Sequence, residues 1–420
     1  MSEDSVLPPS LPDLRVDGDR LWQSLMEMAR IGATAAGGCN RQALSDEDRA
    51  GRDLFSEWCR EIGCEIRVDR MGNIFACRRG ANSGLPPLLV GSHLDTQPTG
   101  GRFDGVYGVL AGLEVLRTLH AADHPTKHDI ELVVWTNEEG ARFSPAMIGS
   151  GVWAGAFKIE DAHAIEDKQG RSLGDELARI GYAGEEKARA RPMTAALEAH
   201  IEQGPILEDE GHQIGIVGGV QGMRWYDITV EGEPCHAGPT PMPMRKDPFM
   251  AVPAIMARVY ALAEKYKDSA RVTFGDINAD PGVRNTVPQK VIFTLDMRHP
   301  DQAILDSMDA ELRSLVEQEC APKRLTGSVR EEWNSPAVVF DSRCVDAVRR
   351  SAHGLGTKSL EMVSGAGHDS VYVSRVAPTA MIFVPCEGGL SHCETENANP
   401  EDLAAGCDVL LHALLILDEG

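Results

Sequence analysis

Residues 86–143 hold three stretches that decide the fold: PPLLVGSHLDT at 86–96, GGRFDGVYG at 100–108 and ELVVWTNEEGARF at 131–143. Leu88 to Val90 is a short apolar run of the kind that forms a buried strand. After it Val106, Val109, Leu110, Leu113, Leu116 and Leu119 recur at helical spacing, and Ile130 to Trp135 is a second apolar run. Strand, helix and strand in that order make a βαβ unit. Continued alternation of this sort predicts an α/β fold with a mostly parallel sheet covered by helices. In such sheets ligands gather beyond the carboxyl ends of the strands, where His93 and Glu139 fall.

Two further apolar runs end in the same way. ALEAHIEQGP (196–205) carries His200 and TAMIFVPCEGGLSH (379–392) ends at His392, while Asp104 lies in the Gly-rich segment that leads into the helix. Imidazoles and carboxylates at these positions predict metal chemistry. Two divalent cations held close together need anionic ligands between them, which Asp104 and Glu139 supply; His93, His200 and His392 complete the set. Such coordination can bring the pKa of water to about 7. Each piece is weak alone, because an HxD, a Glu-Glu pair or a lone histidine is common without a ligand. Together the five predict a two-metal hydrolase site.

From about Gln221 the pattern changes. WYDITVEG and KVIFTLDMRHP alternate with period two, Val291, Phe293, Leu295 and Met297 fill one face, and a helix follows from about Asp301 to Cys320. Residues 221–335 are therefore expected to form an inserted α+β domain, and residues 1–220 with 336–420 the di-metal catalytic domain. Turns around Gly218 to Gly222 are expected between them, as hinges. The α/β pattern resumes at Thr379 to Val384 and ends in a helix with Asn399 as N-cap, Pro400 at its first position and acidic Glu401 and Asp402 behind it.

A chain of 420 residues, 42% hydrophobic and 25% charged, predicts two soluble domains. Its net charge of -23 argues against nucleic acid or an anionic membrane as partner. The acidic, Pro-rich start lacks the features of a signal peptide, and no apolar stretch approaches the roughly 20 residues of a membrane span. Ten scattered cysteines without a CxxC pair point to free thiols in a reducing cytoplasm.

Taken together, GSHLDTQPTGGRFDG, WTNEEGARF, EAHIEQGPILE, GVQGMRWYDITVEG, HAGPTPM, RNTVP, FTLDMRHP, SGAGHDS and GLSH resemble the M20 metallohydrolase family from about residue 20 to the end. They resemble most its N-carbamoyl-L-amino acid hydrolase and β-ureidopropionase (β-alanine synthase) branch. M20 peptidases typically have Asp at the ligand position after the Glu-Glu motif, whereas this chain has His200, which argues against a peptidase.

The resemblance implies two divalent metal ions per subunit, expected to be zinc, with manganese, cobalt and nickel also suited to the ligands. His93 and His200 would hold one metal, Glu139 and His392 the other, and Asp104 both. Asp95 would hold the His93 imidazole in its ligating orientation, and Glu138 would be the general base. Gln203, His236, Asn285, Arg298 and His368 correspond to substrate contacts, with His236 also stabilising the oxyanion. Arg298 suits a substrate carboxylate, which a guanidinium grips with two charge-assisted bonds; as an ordinary strand arginine it would pair with a surface acid such as Asp301. Cys235 stands where relatives more often have a small residue such as Ala, and Cys393 where Asn often follows the last ligand histidine. Both departures bear on positioning.

The activity implied is hydrolysis of the carbamoyl C–N bond of N-carbamoyl-L-amino acids or N-carbamoyl-β-alanine to amino acid, ammonia and carbon dioxide. The alternative is an allantoate amidohydrolase. The resemblance also implies a cytoplasmic homodimer whose inserted domain serves as lid and dimerisation domain, with His236 and Asn285 completing sites across subunits.

Overall fold

Strand Leu88–His93, helix Val106–Ala121 and strand Ile130–Trp135 form the expected βαβ unit in the computed structural model, which describes residues 13–267 and 269–420. Residues 1–12, the beginning of the acidic start, lie outside the described residues. The two strands pair in parallel, His93 opposite Trp135. Strand Ala195–Ile201 adds in parallel beside Leu88–His93, and strand Thr379–Val384 adds in parallel beside that. Every residue of these four strands is buried, so their sequences read as continuous apolar runs with no alternation.

The parallel strands are the centre of a sheet that has nine strands among the described residues. Antiparallel strands flank it: Ile74–Arg78 pairs with Ile130–Trp135, and Ile214–Val220 with Thr379–Val384. Helix Pro400–Glu419 packs on helix Val106–Ala121 and on Thr379–Val384. Its start follows from the residues there, since the Asn399 side chain accepts from the Glu401 N–H at 2.8 Å and Pro400 needs no partner for a nitrogen without hydrogen.

The described chain divides into two compact units, one running to Gly219 and resuming as Val339–Gly420, the other Val220–Val338. In the second unit, strands Gly222–Glu231 and Lys290–His299 pair antiparallel along ten residues, and Thr326–Ser335 pairs with the other edge of Gly222–Glu231. Along Lys290–His299 burial alternates at every residue. Val291, Phe293, Leu295 and Met297 pack with Tyr226, Ile228 and Val230 beneath helices Val252–Glu264 and Gln302–Cys320. Asp301 caps the second helix, its Oδ1 accepting from the N–H groups of Ala303 and Ile304.

One expectation fails here. Gly218 to Gly222 do not form turns: they lie in strands Ile214–Val220 and Gly222–Glu231, with Gln221 alone between them. Apolar Ile214, Ile216, Val217 and Val220 are buried and carry the strand through the glycines. Among the described residues no helix is long and apolar enough to cross a membrane.

Candidate metal centre

The four parallel strands place their carboxyl ends side by side. His93 is the last residue of its strand, His200 the penultimate residue of the next, and Glu138, Glu139 and His392 lie in the loops that follow the other two. Asp104 comes from the loop that enters helix Val106–Ala121. Two trios of ligating atoms result, His93 with Asp104 and His200, and Asp104 with Glu139 and His392, each trio within 4.8 Å. Asp104 Oδ1 lies 3.2 Å from His200 Nε2 and 3.7 Å from His93 Nε2, while its Oδ2 lies 3.2 Å from His392 Nε2. One carboxylate therefore faces both groups. His93, Asp104 and His200 are buried, whereas the His392 side chain is 52% exposed, so the centre opens to solvent at His392.

Main-chain acceptors set the imidazoles. Nδ1–H of His93 donates to the Asp95 carbonyl at 2.9 Å and Nδ1–H of His200 to the Ile201 carbonyl at 2.9 Å, turning both Nε2 atoms toward Asp104. Asp95 thus holds the His93 ring through its carbonyl and not through its carboxylate, which stands 3.9 Å from His93 Nδ1, too far for a hydrogen bond. It accepts instead from the N–H groups of Glu138 and Glu139, both at 3.2 Å, and so fixes the Glu-Glu turn. The two glutamates then diverge. Glu138 Oε2 lies 3.4 Å from His93 Nε2, and Glu139 Oε2 lies 3.3 Å from His392 Nε2.

Backbone geometry is spent on this arrangement. Asn137, Gln203 and His392 have φ of 57°, 58° and 56°, a left-handed region that costs a residue other than glycine about 1–3 kcal/mol. Gly105, at φ 67°, lies so close beneath His93 that an added Cβ would sit 2.2 Å from Nε2.

The electrostatics of the residues fit divalent cations. Burial, then the charge of Asp104, pushes the Glu139 carboxyl up to about 8, and burial raises Asp95 to about 7. Burial, then the charges of Asp369 and Glu139, drives Glu138 well above the carboxylate range. These groups resist ionising together unless positive charge lies among them. Two imidazoles now offer part of that charge. The Asp104 hydrogen bond lifts His392 to about 9; at His200 burial opposes, yet its bond to Asp104 still lifts it to about 9. His93, held neutral chiefly by burial, falls to about 4, as a metal-ligating imidazole requires.

A third trio, Glu198 with His200 and His368, also has its ligating atoms within 4.8 Å. Its carboxylate is already satisfied by hydrogen bonds from Ser92 Oγ at 2.7 Å and Ser370 Oγ at 2.6 Å, so it reads as support for His200. His368, expected at the substrate, is 2% exposed, with its ring 4.5 Å from that of His200 and Nε2 2.9 Å from Ser364 Oγ. Gln203, also expected at the substrate, donates from Nε2 to Asp104 Oδ2 at 2.8 Å, and its Oε1 is buried with no partner among the described residues.

The remaining expected residues belong to the second unit. His236 and Asn285 are both exposed and come together: His236 pairs with Thr286 across a two-stranded ladder, and the Ala237 N–H donates to the Asn285 carbonyl at 2.9 Å. Arg298 forms an ion pair with Asp296, Nη2 to Oδ2 at 2.6 Å. Asp301, the acid named for it from sequence, is occupied in capping its helix. Cys235 is half-buried, and Cys393 is also half-buried with Sγ 3.4 Å from Thr395 Oγ1.

Sequence reasoning missed Glu396, Ser391 and Gln97. Glu396 Oε1 accepts from the N–H groups of Phe103 and Asp104 at 2.9 and 3.1 Å, Ser391 Oγ donates to Asp104 Oδ2 at 3.2 Å, and Gln97 Nε2 donates to Glu139 Oε2 at 2.7 Å. Ser391 beside His392 and Gln97 two residues after Asp95 were signals of proximity. Glu396, in the polar run CETEN, resembles any solvated loop acid.

Histidine and carboxylate trios sharing one aspartate, at the carboxyl edge of a parallel sheet, define a metallohydrolase. The chain belongs to peptidase family M20/M25/M40, whose sequence profile it matches over residues 89–416. It is 49% identical over 401 residues to an N-carbamoyl-L-amino-acid amidohydrolase of Rhizobium meliloti, covering 96% of each chain. It is 35% identical over 389 residues to an allantoate amidohydrolase of Bacillus subtilis (strain 168), covering 92% of this chain and 94% of the other. The crystal structure of a hydantoinase/carbamoylase family amidase from Burkholderia multivorans matches it with a TM-score of 0.92 at 50% identity, covering 96% of this chain and 98% of the other.

Proposed function

We propose that this protein is a metal-dependent amidohydrolase that cleaves the carbamoyl C–N bond of N-carbamoyl-L-amino acids, giving amino acid, ammonia and carbon dioxide. The observation that carries the reading is Glu138, a buried carboxylate that belongs to neither metal trio yet lies 3.4 Å from His93 Nε2. An amide hydrolase needs such a group. The 49% identity to a carbamoyl-amino-acid hydrolase, against 35% to an allantoate hydrolase, supports the carbamoyl substrate.

His93 and His200 would hold one divalent cation and Glu139 and His392 a second, both touching Asp104; zinc is the first choice, with manganese, cobalt or nickel as alternatives. Bound cations supply the acidification of water and the polarisation of a carbonyl. Glu138 takes a proton from the attacking water and returns it to the departing amino-acid nitrogen, a role typically worth about 10²–10⁴-fold in rate. Asp95 holds the Glu138 and Glu139 amides so that the two carboxylates keep separate tasks. His236 donates to the developing oxyanion, Asn285 and Arg298 hold the substrate carboxylate, and Gln203 and His368 support Asp104 and His200.

The exposed His236–Asn285 pair on the second unit supports its role as lid and dimerisation domain of a homodimer, with these residues completing the partner's site. Ten unpaired cysteines support a cytoplasmic setting. Mixing Glu138→Gln with Asn285→Ala protein tests the arrangement. Regained ammonia release from an N-carbamoyl-L-amino acid is expected from mixed dimers; two inactive parents that stay inactive after subunit exchange would place Asn285 in its own subunit's site.

A further inference from the structure

Arg41 stands outside the metal trios and is 1% exposed. Its guanidinium donates to main-chain carbonyls, from Nε to Leu94 at 2.8 Å and from Nη1 to Met28 and Ile31 at 3.1 and 2.8 Å, and Nη1 also donates to Cys39 Sγ at 3.3 Å. Helix Asp46–Glu61 packs on the same side chain, where a Cβ added at Gly51 would sit 3.0 Å from Arg41 Cδ. Burying a charge costs free energy that an apolar side chain of similar volume avoids, so packing alone gives no reason for a guanidinium here.

The segment that Arg41 holds carries chemistry. Besides the Nε bond to Leu94, the Arg41 N–H donates to Thr96 Oγ1 at 2.8 Å and the Thr96 N–H donates to the Arg41 carbonyl at 3.0 Å, so residue 41 is tied to both neighbours of Asp95. Asp95 sets the His93 ring with its carbonyl and the Glu138 and Glu139 amides with its carboxylate. Residues just before Arg41 reach two further ligand loops. Cys39 and Gly100 exchange N–H to carbonyl bonds at 2.9 and 3.0 Å, and a Cβ added at Gly38 would sit 2.5 Å from the Gly100 oxygen and 2.6 Å from Glu394 Cα. Gly100 begins the Gly-rich segment that carries Asp104, and Glu394 stands two residues after His392.

We propose that Arg41 is a positioning residue of the metal centre: its fork fixes Leu94 to Thr96, and through Asp95 the His93 ring and the Glu138–Glu139 turn. This rests on the metal-binding part of the proposed function and not on the carbamoyl substrate. A structural role competes with it, because Nη1 also satisfies carbonyls at the end of helix Gly18–Met28, where main-chain acceptors lack helical partners. The two roles separate by what each variant changes. Loss of the helix-end bonds lowers stability; loss of the grip on Leu94 and Thr96 changes the ligand geometry as well.

The test titrates the full chain with cobalt(II) against a competing chelator, below the melting temperature of each variant, and records the visible spectrum of the bound ion. Arg41→Met should bind cobalt about 10–100-fold more weakly than the wild type, with an altered spectrum. Thr96→Val removes the acceptor of the Arg41 N–H and leaves the helix-end bonds in place, and it should weaken binding in the same direction. Leu25→Ala, in the buried face of helix Gly18–Met28, should lower the melting temperature while keeping wild-type affinity and spectrum. Wild-type affinity and spectrum in folded Arg41→Met would overturn the proposal, as would the same result in Thr96→Val should Arg41→Met not fold, or an equal loss of affinity in Leu25→Ala. Cobalt binding needs no carbamoyl acid, so a wild type that binds cobalt but hydrolyses none of these acids sinks only the substrate reading, whereas one that binds no cobalt sinks both.

Discussion

Asp104 shows how far a candidate metal site rests on residues outside its ligand trios. Its carboxylate is reached by three imidazoles, and its placement depends on Glu396 gripping the Phe103 and Asp104 amides, Gln203 and Ser391 bonding Oδ2, and Gly105 leaving room for His93. Gly105→Ala should lower metal affinity sharply, because its Cβ would lie 2.2 Å from His93 Nε2; a metal titration equal to the wild type would show that the loop yields. Glu396→Ala should weaken metal binding by about 10–100-fold, the usual effect of removing a group that orients a ligand, whereas Glu396→Gln, which keeps an oxygen to accept from the Phe103 and Asp104 amides, should lose less. Glu138→Gln should retain metal content and lose about 10²–10⁴-fold in kcat, checked by elemental analysis and initial rates together. The five candidate ligands stood out in sequence because four of them follow an apolar run and Asp104 lies in the Gly-rich segment that enters a helix. Glu396, Gln97 and Ser391 did not, since they act through main-chain amides and carboxylate oxygens that only the folded chain brings near.

At the scale of elements, the site exists because four buried strands run in parallel and end together. That much was readable: Leu88–His93, Ile130–Trp135 and Thr379–Val384 announce themselves as apolar runs, and Asn399–Pro400 marks the last helix. Period-two alternation likewise revealed Lys290–His299. Gly218 to Gly222 misled, because glycines suggest a turn while the buried apolar residues among them specify strands. The pairing of Arg298 with Asp296 was equally hidden, two residues apart on one strand face while Asp301 caps a helix. Phe293→Ala, in the core of the second unit, should cost about 3–5 kcal/mol in denaturant unfolding. A loss below 1 kcal/mol would show that the helices do not rely on that face.

For the molecule as a whole, the buried titratable groups set a direction of pH dependence. Asp95 at about 7, Glu139 at about 8, and His200 and His392 at about 9 all lie above their ordinary values. The folded, metal-free protein therefore holds protons that the unfolded chain releases, and its stability falls as pH rises from about 7 to 9. His93, lowered to about 4 from 6.5, acts in the opposite sense only on the acid side of that window. Melting temperatures of chelator-treated protein should decline between pH 7 and 9, and saturating divalent metal should remove the decline by replacing those protons. A melting temperature that rises across this range without metal would mean that the carboxylates find their counter-charge elsewhere.

The central claim, a metal-dependent carbamoyl amidohydrolase, is tested most directly by ammonia release after defined metal reconstitution. N-carbamoyl-L-amino acids, N-carbamoyl-β-alanine, allantoate and a dipeptide are compared side by side, the dipeptide by release of free amino acid. Fastest turnover is predicted for an N-carbamoyl-L-amino acid, lost on chelation and restored by divalent metal. Activity that persists in verified metal-free protein, or dipeptide cleavage without ammonia release from any carbamoyl acid, would contradict it.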